Sequence, residues 1–150
     1  MAAGSKAIRT GANFRAQIKT TLECSGFTEV GNIDSYITSP NLPPCPIFAR
    51  NVLIGLDVYG NPLRVDFIYM KGNVRRILHA RWQQTSGSVD QKFPFFAANA
   101  QQLPLSSIFV LGGDGFKDGA KQWLENQTGG RIYAVFGEEE FQEWMNNGNF

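Results

Sequence analysis

Hydrophobic and polar positions alternate most clearly in two runs, Leu63–Met70 and Val74–Gln83, separated by Lys71-Gly72-Asn73. A period of two marks a β-strand, and Gly-Asn is a two-residue hairpin turn because glycine takes the positive φ such turns need. With Gly72-Asn73 as the turn, Lys71 pairs with Val74, and counting outward sets Asp66 opposite His79. His79, Arg81 and Gln83 then share one strand face with Asp66, while Leu78, Ala80 and Trp82 occupy the other, which suits a core. An acid, an imidazole, a guanidinium and an amide on one face are costly unless solvent, a ligand or nucleic acid meets them. That face is the candidate site.

The same reading extends along the chain. Phe14, Ile18 and Leu22 recur at helical spacing, with Thr10 or Asn13 to cap the helix and Gly26 to stop it after about Cys24. Phe27–Val30 reads as a short strand. Asn32–Pro46 holds Pro40, Pro43, Pro44 and Pro46 and reads as an extended loop. Val52–Val58 is a strand, so that it forms an antiparallel meander with the two runs of the hairpin. Ser88 caps a helix over about Val89–Gln101. Ser107–Leu111 is apolar throughout after its serine, the pattern of a strand covered on both faces. The turn Gly112-Gly113-Asp114-Gly115 leads to a helix from Lys117 or Asp118 to Asn126, then a strand Ile132–Phe136 and a helix Glu138–Asn147. Glu138, Glu139 and Glu140 suit the positive end of that last helix's dipole. The fold class is therefore α/β, a mixed central sheet of antiparallel meander plus β-α-β units, flanked by helices. Residues 1–9 read as a flexible arm, with Lys6 and Arg9 free to touch a phosphate backbone, and residues 10–150 as a single domain.

Composition narrows the function classes. At 150 residues and 43% hydrophobic content, one domain with a proper core is expected. No apolar run approaches the ~20 residues of a membrane span, and Met1–Lys6 lacks the apolar stretch of a secretion signal, which points to an intracellular, cytoplasmic protein. Cys24 and Cys45 are too few for a disulfide framework and read as reduced, partly buried thiols. Net charge is only +1, yet it is unevenly placed. Residues 50–92 carry Arg50, Arg64, Lys71, Arg75, Arg76, Arg81 and Lys92 against Asp57, Asp66 and Asp90, whereas acids outnumber bases from Phe93 onward. The basic half is the hairpin half, so a positive face coincides with the candidate site. Gly112–Gly115 lacks the Gly-Lys-Ser/Thr ending of a nucleotide-binding loop and reads as a tight turn.

An acid late in one strand, a short turn, and a strand ending in Arg81-Trp82-Gln83-Gln84, followed by Ser86-Gly87-Ser88-Val89-Asp90-Gln91-Lys92, make a longer pattern. It resembles the PD-(D/E)XK nuclease superfamily, in a phage and bacterial branch that reads Lys-Trp-Gln, a small-Gly-small turn, then an acidic or amide residue before Lys. The likeness continues through Phe109–Lys117. The resemblance implies a restriction-endonuclease-like fold and a site built on Asp66, His79, Arg81 and Gln83. His79 and Arg81 stand where active members carry an acid and a lysine, and Arg15 stands where many carry a glutamate after Phe14. Mg²⁺ or Mn²⁺ would then be held weakly by Asp66, with His79 as a second ligand or a general base. Arg81 would stabilise a charged phosphate but transfer no proton.

The sequence therefore supports a metal-dependent DNA endonuclease of homing, restriction-like or phage-borne kind with a variant site. The alternative is a catalytically inactive relative that binds nucleic acid or serves as a subunit of an assembly. A third reading is a small structural α/β subunit whose polar strand face is buried against another protein. Arg15, Lys19, Arg64, Lys71, Arg75, Arg76 and Lys92 are the candidate contacts to double-stranded DNA. Cutting both strands calls for two sites, hence a homodimer or homotetramer.

Overall fold

A computed structural model describes residues 10–148 and Phe150. Its centre is a six-stranded sheet, flanked on one face by α1 (Gly11–Cys24) and α5 (Glu138–Asn146). The other face carries α2 (Asp34–Ile37), α3 (Phe93–Gln102) and α4 (Asp118–Glu125). The strands lie in chain order: β1 (Thr28–Glu29), β2 (Ile47–Leu56), β3 (Pro62–Lys71), β4 (Val74–Trp82), β5 (Ser106–Gly112) and β6 (Ile132–Gly137). The pairs β2–β3 and β3–β4 are antiparallel, and β1–β2, β4–β5 and β5–β6 are parallel. This is the mixed α/β architecture of the sequence reading, a restriction-endonuclease-like sheet. A short 3₁₀ turn, Asp90–Lys92, precedes α3.

Local chemistry accounts for the elements. The Thr10 hydroxyl accepts from the Asn13 amide at 3.1 Å and starts α1, which buries Phe14, Ile18 and Leu22 against Phe67, Leu78 and Val110. Each such side chain contributes roughly 1.5–3 kcal/mol by leaving water. Lys71 pairs with Val74 across the Gly72-Asn73 turn, where Gly72 has φ +57°, as the hairpin pattern requires. Several details differ from expectation. α3 starts at Phe93 rather than Val89, with Lys92 and not Ser88 at its N-cap position. β2 begins at Ile47 rather than Val52, because Ile47 and Phe48 pair with β1 and bury in the two opposite cores. Within the proline-rich loop the Asn32 carboxamide accepts the Asp34 amide at 2.8 Å and turns the chain into α2, with Ile33 buried. The two cysteines are unpaired thiols, but both are exposed rather than partly buried.

β1 covers only Ile47 and Phe48 of β2, so beyond Phe48 the outer edge of β2 has no strand partner among the described residues. Asn51 sits there at φ +52°, and the β2–β3 register slips between Leu53 and Gly55. These irregularities kink the meander beside Asp66, and that kink positions the candidate site.

Candidate nucleic-acid interface

β3 and β4 share a ladder from Lys71–Val74 only as far as Phe67–Leu78, after which β4 continues alongside β5 to Trp82. Asp66 stands where the two strands part. Its carboxylate substitutes for the missing ladder partner: Oδ2 accepts the Ala80 amide at 2.8 Å and the Arg81 guanidinium at 2.6 Å. The Asp66 side chain keeps 20% of its exposure and that of Arg81 25%. Among the described residues Oδ1 has no donor.

On one side of this ion pair lies a cleft of about 520 Å³, lined by Ala12, Arg15 and Ala16 of α1, Arg50 and Asn51 of β2, and Asp66. The positive φ of Asn51 and the α1 side chains open this space. Arg50 donates from Nε to Glu29 at 2.6 Å, and Lys19 lies 3.7 Å from the same carboxylate. Among the described residues Arg15 and Arg50 line a concave surface whose one lining acid, Asp66, is paired to Arg81, while Arg50 is paired to Glu29. Arg50 and Asn51 were not singled out as site residues by their sequence pattern; the β2–β3 ladder, with Arg50 opposite Phe67 and Val52 opposite Val65, sets Asn51 beside Asp66.

His79 does not join this cleft. It is 6% exposed, stacked on Phe109 at 4.6 Å, and its Nε2 lies 3.2 Å from the Ser107 hydroxyl. Burial, and secondarily the nearby Arg81 charge, push its pKa down to about 3. The expectation of an accessible imidazole facing Asp66 is therefore corrected. The strand alternation is right, but α3 packs Phe93 and Phe96 over that face, and the His79 ring is sealed away from the Asp66 cleft.

Gln83 is likewise buried and fully engaged. Its Nε2 donates to Gly115 O at 2.9 Å, its Oε1 accepts the Val89 amide at 2.8 Å, and its main chain bonds Gly112 O and the Gly115 amide. It fastens the end of β4 to the loops on either side. Trp82 packs on Phe14 at 5.5 Å, in the core as expected. The Trp-Gln part of the motif is thus scaffolding around the site.

The basic candidates divide by position. Arg15 is in the cleft, and exposed Lys92 lines a second groove together with Arg81. Arg64 is exposed and donates to Asn51 O at 3.0 Å, beside the kink. Lys71, Arg75 and Arg76 are toward the far end of β3 and β4, three to five residues along the ladder from Asp66 and so roughly 10–17 Å away at the usual strand rise. Their side chains are committed there. Arg75 donates to Ser39 O at 2.7 Å and Asn41 O at 2.8 Å, pinning the proline-rich loop. Arg76 lies 3.7 Å over Tyr133, and Lys71 is 4.7 Å above Phe150. These three do not belong to the Asp66 site. Lys6 and Arg9 lie outside the described residues.

The model of the PD-(D/E)XK nuclease superfamily domain matches residues 6–148. The chain belongs to that superfamily. No curated protein and no solved structure matches it. Members of the PD-(D/E)XK superfamily are in general nucleases and typically employ divalent metals. The donor set of this chain does not fit that metal. A hard cation such as Mg²⁺ wants several oxygens, and Asp66 offers one carboxylate already shared with Arg81. His79 is sealed beneath α3, the Gln83 amide is spent, and no three His, Cys, Asp or Glu side chains gather among the described residues. No helix among them is long and apolar enough to cross a membrane.

Proposed function

We propose that this nuclease-fold domain binds the phosphodiester backbone of DNA in the Asp66 cleft without a resident metal. The observation that carries this reading is the lining itself: Arg15 and Arg50 flank a single lining acid that Arg81 already neutralises, with Arg50 braced through its Nε by Glu29. A guanidinium matches phosphate geometry, and each contact releases condensed counterions. Replacing both cleft arginines (Arg15→Gln with Arg50→Gln) is expected to flatten the log–log salt dependence of DNA binding by about two and to weaken binding on the order of thirty-fold near physiological salt. Fluorescence anisotropy titrations across a salt series measure both. An unchanged slope would remove the cleft from the interface.

A second reading, a metal-dependent DNA endonuclease acting as a homodimer or homotetramer, is favoured by one feature, the undonated Oδ1 of Asp66 at the cleft wall. The two readings separate in a cleavage assay on plasmid and single-stranded DNA with Mg²⁺ or Mn²⁺. We expect no product above the metal-only control. Cutting that disappears in Asp66→Asn would establish hydrolysis in place of binding alone.

A further inference from the structure

Across the Asp66–Arg81 ion pair from the cleft lies a second groove of about 630 Å³, lined by Tyr59, Arg81, Val89, Gln91, Lys92, Phe95 and Phe96. Its walls are aromatic and its charged groups are both cationic. Tyr59, in the turn between β2 and β3, is 79% exposed, yet its ring is held against Phe95 at 5.5 Å and 21°. One face of that phenol ring is thus fixed by stacking while the ring as a whole stays open to solvent. Arg81 lies 4.4 Å over Phe96 and simultaneously holds Asp66, so one side chain joins the two concavities.

We infer that this groove is a stacking site for an unpaired nucleobase, and that the domain prefers single-stranded or locally unpaired nucleic acid. The inference rests on the reading that the neighbouring cleft binds a phosphate backbone. A base inside a duplex has both faces covered by its neighbours, whereas an unpaired base offers a flat face to an aromatic ring. Tyr59 and Phe95 supply that platform, and Arg81 and Lys92 supply the countercharge for the phosphates on either side of the stacked base. A strand lying in the cleft reaches the platform by crossing Arg81. The volume suits one small organic ring system with its substituents.

The test compares binding of an oligothymidylate of about 15 nucleotides, within the span of single-strand sites, with a blunt duplex of equal length. The proteins are the wild type, Tyr59→Ala and Tyr59→Phe. Tyr59→Ala is expected to weaken single-strand binding at least tenfold, in line with the usual loss of a stacked base. It should change duplex binding less than twofold, and Tyr59→Phe should restore the single-strand affinity. Because Tyr59 is so exposed, the fold should be indifferent to either substitution. Equal single-strand affinity for wild type and Tyr59→Ala overturns the inference, and if the Arg15/Arg50 variant still loses binding, the cleft reading stands without it. Absence of binding to either nucleic acid overturns both. The groove would instead be a contact between copies of this chain if Tyr59→Ala abolished a concentration-dependent dimer in light scattering and left single-strand binding untouched.

Discussion

Acidification from pH 7 to 4.5 should destabilise the domain by about 2–3 kcal/mol, and the variant His79→Leu should lose most of that dependence. His79 is the only histidine in the chain. In the folded state its pKa lies near 3, because burial excludes the charged form and the adjacent Arg81 opposes it further. In the unfolded chain it returns to about 6.5. Between these values the unfolded state binds the extra proton, so stability is complete above pH 6.5 and falls as the pH drops toward 3. The limiting slope is about 1.4 kcal/mol per pH unit. Most carboxylates titrate below this window, so the change between pH 6.5 and 4.5 belongs chiefly to the imidazole. Melting temperatures across that range should fall by roughly 2–4 °C for each kcal/mol lost. A wild-type curve flat from pH 7 to 4.5, or one that His79→Leu reproduces, would place His79 in contact with water.

Gly113→Ala is expected to be strongly destabilising, costing about 2–5 kcal/mol. Gly113 has φ +87°, a conformation that costs an L residue roughly 1–2 kcal/mol. A Cβ there would also fall 2.4 Å from the Gln83 carbonyl oxygen and 2.9 Å from its carbon. That strand end cannot retreat cheaply, since the Gln83 main chain is hydrogen-bonded to Gly112 and Gly115 on the same loop. Overpacking against fixed backbone adds about 1–3 kcal/mol. Gly26→Ala is the control, with φ +94° and nothing within 4 Å of the added carbon. Urea denaturation should show the Gly113 variant about 1–3 kcal/mol below the Gly26 variant; near-equal midpoints would mean that the loop gives way.

The same loop shows where the sequence was legible. Gly112–Gly115 lacks a phosphate-cradle signature, and its glycines serve to let two stretches of backbone touch. The hairpin turn and its register were legible from Gly72-Asn73 as far as the Phe67–Leu78 pair, but not the parting of the strands that leaves Asp66 and His79 unpaired in that ladder. The apolar run Ser107–Leu111 announced a covered parallel strand, and β5 lies between β4 and β6. The accessibility of His79 was not legible. Alternation assigns a side chain to a face but does not say what covers the face, and the cover here comes from Phe93 and Phe96, more than ten residues away. The roles of Arg75 and Arg76 were hidden for a related reason, as their partners Ser39, Asn41 and Tyr133 are distant in sequence.

Asn51, the left-handed residue of β2, has another effect. A long bare strand margin is a template on which a second molecule can grow, and serial growth of that kind leads to fibrils. β2 is such a margin past Phe48, yet Asn51 and the slip at Leu53–Gly55 break the even row of amides and carbonyls that a newcomer would copy. The distortion beside Asp66 thus also guards the molecule against self-templated polymerisation.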